Sequence, residues 1–284
     1  MTYTLSHIVV EVSAPGGHTR TVLNDCSLRV NGGECVGIVG GEGAGKTTLL
    51  QVAAGLLPPG DGSVIMDDID LYDAPRKSRH ARRQIGFAFQ FPEEQFFCAT
   101  VHDELMYATG NFGGDPAGAE MRASQLLREF DLDPEAIAGR SPFSLSPGEA
   151  RRVGLAAILV HAPSVLMLDE PTSGMDGGGR EHVRRVLVRH TEDGGAAFVV
   201  SRDADFLAEV ATRVVCVDAG AIAVDLPAAL FFSNNDLLMR CGCAPTEAGA
   251  LLAELRGRWY HTGGTSVRRH GVEMAVQRLS SRHG

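Results

Sequence analysis

Apolar residues in this chain fall into two recurrent patterns. Short continuous runs, at 35–39, 85–89, 165–168, 196–200 and 214–217, read as buried strands. Between them, residues 45–55, 178–190 and 204–211 read as helices, and Pro58-Pro59-Gly60 closes the first of these. Residues 100–138 keep a helical period, broken at Gly110-Asn111-Phe112-Gly113-Gly114-Asp115-Pro116. Nearer the start, residues 5–12 and 26–30 read as short strands around the turn-rich Ala14-Pro15-Gly16-Gly17, and Gly62 to Ile69 as an edge hairpin. Strands alternating with helices predict an α/β fold, with a mainly parallel sheet covered by helices. After Pro227 the pattern changes. Pro245-Thr246 marks a helix start running to Arg256, and a last helix is expected near 271–280, beyond Gly263-Gly264. The expected organisation is one large domain, 1–226, and a small appendage, 227–284.

One break between strand and helix carries chemistry. Val36-Gly37-Ile38-Val39 runs directly into Gly40, Gly41, Glu42, Gly43, Ala44, Gly45, Lys46, Thr47 and Thr48, which fits G-x-x-x-x-G-K-[ST] in its required place. The glycines let successive backbone N–H groups turn toward one polyphosphate. The helix that follows adds the positive end of its dipole. Lys46 is the candidate for the β- and γ-phosphates, and the Thr47 hydroxyl for Mg²⁺. Far downstream, Ser164-Val165-Leu166-Met167-Leu168 ends in Asp169 and Glu170. A carboxylate at such a strand end can hold Mg²⁺ through water, and the next can polarise an attacking water. Asp169 takes the first role in this reading and Glu170 the second.

Composition narrows the class further. The chain has 284 residues, 44% apolar and 21% charged, as expected of a globular protein. A net charge of −9 disfavours non-specific nucleic-acid binding. The charge is uneven: from Arg256 onward six arginines stand against Glu273, a balance suited to an acidic partner, a membrane surface or plain solvation. The basic stretch Arg76 to Arg83 reads as a solvated helix face. No apolar run approaches the roughly 18–20 residues that cross a bilayer, and no signal pattern opens the chain, so a cytoplasmic location is expected. Six scattered cysteines suit reduced, buried thiols. Cys241-Gly242-Cys243 has no second ligand pair to make it a metal site.

Further motifs follow in order. Gln90 ends the strand at 85–89. Leu145-Ser146-Pro147-Gly148-Glu149 precedes the helical Ala150-Arg151-Arg152-Val153. Pro171 and Ser173-Gly174-Met175-Asp176 follow the acidic pair. With these, the chain resembles an ATP-binding-cassette ATPase, 145–149 being similar to the family signature L-S-G-G-Q. A narrower likeness lies in Phe89-Gln90-Phe91-Pro92-Glu93-Glu94-Gln95-Phe96-Phe97, Thr100-Val101 and Asp103-Glu104. This segment resembles that of energy-coupling-factor ATPases, the cytoplasmic subunits of vitamin and metal-ion importers.

The resemblance implies a P-loop NTPase fold: a RecA-like core, an antiparallel β subdomain, a helical subdomain at about 91–153 and a small C-terminal appendage with a possible dimerisation role. It implies ATP and Mg²⁺ as cofactors, with Thr47, Gln90 and Asp169 at the metal. It implies a head-to-tail dimer, in which Ser146, Gly148 and Glu149 of one chain meet the nucleotide of the other. It also implies a peripheral place on the cytoplasmic face of a membrane, with transporter subunits bound through about 90–105.

Three positions depart from the family. Ser201-Arg202-Asp203 has Arg202 where a histidine is usual. Arginine is always charged and cannot accept a proton, so slow hydrolysis is expected. Pro147 replaces a glycine and lacks an N–H. No aromatic residue stands at Val10-Glu11-Val12-Ser13-Ala14 to stack on adenine, and Tyr3 lies early for that task. These departures suggest a heterodimer with a better-equipped partner, a homodimer remaining open. Two other readings stay beside the transport ATPase. One is a weakly hydrolysing regulatory subunit. The other is a non-transport ATPase, such as a DNA-repair head or a tandem translation ATPase. The absence of sustained heptads, of paired CxxC and of a second phosphate loop tells against the latter.

Overall fold

A computed structural model describes residues 1–13, 18–73, 75–112 and 115–251. Two compact units divide the chain, Met1–Pro245 and Thr246–Gly284. The first opens with strands β1 (Thr2–Ser13), β2 (Thr19–Asn31) and β3 (Cys35–Val39), then helix α1 (Lys46–Ala53). Next come β4 (Asp61–Met66), β5 (Ile69–Asp70), α2 (Pro75–Arg82) and β6 (Ile85–Ala88). A 3-10 turn at Pro92–Gln95 leads to α3 (Val101–Phe112), α4 (Pro116–Glu129) and α5 (Pro134–Ile137). After a second 3-10 turn, Pro142–Ser144, follow α6 (Pro147–Leu159), β7 (Val165–Asp169), α7 (Gly177–Glu192) and β8 (Ala196–Val200). The unit closes with α8 (Ala204–Val210), β9 (Arg213–Asp218), β10 (Ala221–Pro227), α9 (Ala228–Phe232) and α10 (Asn235–Arg240).

Two sheets result. One is antiparallel, in the order β2-β1-β4-β5. The other has the order β10-β9-β3-β8-β7-β6 and is parallel except at β10. All five residues of β3, of β7 and of β8 are buried, which is why these strands read as unbroken apolar runs. One core layer packs Leu5, Ile8, Leu49 and Leu50 with Ile38 and Phe198 between the two sheets. The opposite layer packs Leu105, Leu127, Val153, Leu187 and Phe206 under the helices. Because the parallel strands share one direction, the ends of β3, β6, β7 and β8 open onto one rim. Ligands bind at such rims in open α/β sheets.

Most expected elements are present. The long helical stretch resolves into α3, α4 and α5, with Asp115 and Asp133 as N-caps whose carboxylates accept backbone N–H groups. The expected boundary at 226/227 falls instead at Pro245. Phe231, Leu238, Cys241 and Cys243 are buried in the first unit's core, so α9 and α10 belong to it. Strand β10 was also outside the expectation. It follows a tight reversal in which Ala219 and Gly220 both have positive φ, at 46° and 81°, and only its alternating exposure betrays it. In the second unit, the Thr246 hydroxyl accepts from the Gly249 N–H at 3.0 Å, consistent with the helix start expected there. The helix expected near 271–280 and the basic tail lie outside the described residues. Among the described residues, no helix is long and apolar enough to cross a membrane.

Candidate functional site

The loop at 40–48 is held by backbone geometry. Gly40, Gly43 and Gly45 have φ of 146°, 71° and 106°, backbone values that residues bearing a Cβ rarely adopt. A Cβ on Gly40 would lie 2.1 Å from the Val217 carbonyl oxygen, so the strand end itself demands glycine. Lys46, the first residue of α1, is buried and donates to the carbonyl oxygens of Gly40 and Gly41 at 2.8 and 2.7 Å. Burial, then the nearby Arg202 charge, pulls its pKa down against the pull of Glu170 and Asp169.

Strand β8 lies between β3 and β7, yet the site bridges it. The Thr47 hydroxyl donates to Asp169 Oδ2 at 2.7 Å. Burial raises the Asp169 pKa, opposed by that hydrogen bond. A hydroxyl and a carboxylate meeting at one point form a hard-oxygen donor pair, which suits Mg²⁺ completed by waters and phosphates. No group of three or more His, Cys, Asp or Glu side chains among the described residues offers an all-protein cage. The donor set therefore fits a metal shared with a phosphate ligand. Glu170, just past β7, has φ of 49°. Burial also pushes its pKa up, countered first by the Arg202 N–H, which donates to Oε2 at 3.2 Å.

These groups surround a cavity of about 300 Å³ lined by the phosphate loop together with Gln90, Asp169, Glu170 and Arg202. The structure thus brings together the loop, the acidic pair, Gln90 and Arg202. Ser146, Gly148 and Glu149 do not line this cavity. Ser146 caps α6 in a reciprocal box: Ser146 N–H donates to Glu149 Oε2 at 2.8 Å, and Glu149 N–H to Ser146 Oγ at 3.3 Å. Arg140 pairs with Glu149 at 3.1 Å. The Ser146 backbone hydrogen bond, more than Arg140, holds the Glu149 pKa low. Pro147 occupies the first helical turn, where its N–H would have no intrahelical partner.

Sequence reasoning missed two features. Arg20 and Val22 of β2 line the cavity beside the loop, and Arg20 pairs across the sheet with Val12 of the strand end where the family carries an aromatic residue. Tyr3 is fully buried, donates its hydroxyl to the Ala53 carbonyl and packs edge-on against Phe198, so it is no base platform. The second feature is Arg151. It is 4% exposed, donates to the Gln90 carbonyl at 2.6 Å, pairs with Glu93 at 3.4 Å and lies over the Phe91 ring. The signal was an arginine on the apolar stripe of α6 between Ala150 and Val153. Through it, the helix behind Ser146 is tied to the segment after Gln90.

A glycine loop joined to a helix N-terminus, with a hydroxyl–carboxylate pair and a second carboxylate on one sheet rim, defines a P-loop ATPase of the cassette type. The chain belongs to the ABC transporter family, whose profile matches residues 23–173. It is an ATP-binding subunit with ATPase activity. Curated relatives include energy-coupling factor transporter ATP-binding proteins EcfA2. That of Clostridium perfringens is 33% identical over 243 residues, 85% of each chain. That of Symbiobacterium thermophilum is 38% identical, covering 83% of this chain and 82% of the relative. Among solved structures, a dimeric ATP-binding cassette bound to ADP and Pi superposes with a TM-score of 0.72 at 26% identity, over 80% of this chain and 98% of that one. The fold of cbiO1 from Clostridium perfringens, part of the ABC transporter complex cbiONQ, superposes at 0.70 over 88% of this chain and 98% of its own.

Proposed function

We propose that this chain energises an energy-coupling-factor type importer by binding and slowly hydrolysing ATP at its own phosphate loop. The observation that carries the reading is the Thr47–Asp169 contact, which joins phosphate loop and acidic pair at one point. The N–H groups of Gly43 to Thr48 would cradle the triphosphate, and Lys46, held by the carbonyls of Gly40 and Gly41, would supply positive charge to its β- and γ-oxygens. Thr47 and Asp169, with Gln90 lining the same cavity, would hold a Mg²⁺ ion, which would supply charge neutralisation at the phosphates. Glu170 polarises the attacking water, its basicity raised by burial. Arg202 stabilises γ-phosphate charge but also draws on Glu170, which slows the water-activation step.

Ser146 and Gly148 complete the site of a second ATPase chain across a head-to-tail dimer. Glu149 serves that surface by holding the Ser146 cap. The asymmetry that Arg202 introduces favours a heterodimer whose partner carries the faster site. The chain lies on the cytoplasmic face of the membrane. The segment at about 90–105 receives the integral membrane subunits, since Phe97 is 60% exposed and stacked edge-on with the half-exposed Tyr107, 4.5 Å between ring centres. The transported solute, a vitamin or metal ion, is captured by those subunits.

Co-purification tests the assignment. The wild-type chain should be retained by detergent-solubilised transporter subunits, and Phe97→Asp should be released while still binding ATP. Retention of Phe97→Asp at the wild-type level would remove this surface from the account.

A further inference from the structure

The turn after α10 ends a helix in an unusual place. Its hydrogen bonds form a Schellman motif: Cys243 N–H donates to the Leu238 carbonyl at 2.9 Å, and Gly242 N–H to that of Met239 at 3.1 Å. Gly242 takes the left-handed conformation this motif requires, with φ of 71°. What sets it apart is its neighbour. A Cβ built on Gly242 would lie 3.2 Å from the Gly41 nitrogen, 3.3 Å from Gly41 Cα and 3.4 Å from the Gly40 carbonyl carbon. The turn therefore rests on the backbone that opens the phosphate loop.

The same backbone also approaches another element: a Cβ on Gly40 would lie 2.1 Å from the Val217 carbonyl oxygen at the end of β9. The Gly40–Gly41 backbone thus meets both β9 and the α10 turn. The turn is anchored by buried groups: Leu238, Cys241 and Cys243 all lie in the core beside Cys216 and Val39. Cys243 is also within electrostatic range of Lys46 and Glu170.

We propose that Gly242 is a positioning residue for the phosphate loop. The α10 turn fixes the carbonyls of Gly40 and Gly41, and with them the Lys46 ammonium they hold, so that the loop is set for a triphosphate before one arrives. The inference rests on the phosphate loop being the ATP site. Preorganised amides and charges bind without the cost of ordering, so a displaced turn should appear as lost affinity.

The chain carries its own control. Gly194 closes α7 in the same motif, with Gly195 N–H to His190 carbonyl at 2.9 Å and Gly194 N–H to Thr191 carbonyl at 3.0 Å. Its φ is 88°, and a Cβ there meets nothing within 4 Å. Alanine at either position suffers the same backbone strain, but only Gly242→Ala presses on the phosphate loop.

The test is calorimetric titration of the purified full-length chain with the non-hydrolysable analogue AMPPNP and Mg²⁺, alongside Tm, for wild type, Gly242→Ala and Gly194→Ala. Gly242→Ala should weaken binding about tenfold, while Gly194→Ala binds as wild type with a comparable drop in Tm. Equal affinities in the two variants would overturn the positioning role while leaving the ATP site intact. A wild-type chain that binds no analogue would overturn both. Should Gly242→Ala fail to fold, Gly242→Asn makes the same contact from a residue that enters the left-handed region more readily.

Discussion

Arg202 caps the carboxylate of Glu170: its N–H donates to one oxygen at 3.2 Å and its guanidinium Nε stands 3.8 Å from the other. The side chain of Arg202 is itself 68% exposed, so the ion pair is screened and adds little to stability. Its consequence is chemical. In the proposed mechanism, the carboxylate that polarises water stands beside a cation that never gives up its proton.

The acidic pair makes a pH-dependent contribution to stability. Burial raises the pKa of both Asp169 and Glu170 in the fold. A carboxyl with a raised folded pKa favours the folded state while protonated, and that contribution is lost as pH rises through the folded value. Removing one buried charge should therefore stabilise the nucleotide-free protein above that range. Glu170→Gln is expected to raise Tm at pH 8 and to lose this advantage at pH 4. Thermal melts across that interval check it, and a lower Tm at pH 8 would contradict the sign.

Arg151 should matter more than its distance from the loop suggests. Removing one partner of a buried ion pair strands the other. Arg151→Leu, which also abandons the Gln90 carbonyl, is expected to cost about 3 kcal/mol. Arg151→Lys should recover only part of that, because one ammonium cannot serve the Gln90 carbonyl and Glu93 as the forked guanidinium does. Denaturant melts of the three proteins decide this.

The signature departures should prove mild. Pro147 sits where a helix favours proline, so Pro147→Gly is expected to lower stability by about 0.5–1 kcal/mol. Turnover should stay within about twofold, a factor worth roughly 0.4 kcal/mol of barrier. A large gain in turnover would show that the missing N–H faces the partner's nucleotide.

Base selectivity should be weak. With Tyr3 buried and Arg20 and Val22 on the cavity wall, a base placed against that wall would meet a guanidinium and an aliphatic group. ATP and GTP affinities are expected to agree within about threefold, and Arg20→Ala to lower both together. A strong preference for ATP in competition binding would refute this.

Much of the site was legible because its parts are local. The loop at 40–48 is continuous, and the acidic pair ends an unbroken apolar run, so spacing alone located both. The sheet was legible for the same reason: β3, β7 and β8 are buried throughout and lack polar interruption. What escaped depends on long-range packing. Arg151 reads as one more helix charge until Gln90, some sixty residues earlier, is folded against it. The membership of α9 and α10 in the first unit rests on Phe231 and Leu238 finding the core, while the sequence shows only a change of pattern after Pro227. Arg20 and Val22 enter the cavity because β2 carries them there.

The most direct test is steady-state ATP hydrolysis by the purified chain as wild type, as Arg202→His, and as Arg202→His combined with Glu170→Gln. A neutral histidine removes the cation beside the Glu170 carboxylate while keeping the backbone hydrogen bond of residue 202, and general-base assistance of this kind is worth on the order of 10²–10⁴ in rate. Wild-type turnover should be slow, the single variant at least about tenfold faster, and the double variant inactive. Equal rates for wild type and Arg202→His, or activity that survives Glu170→Gln, would contradict the account.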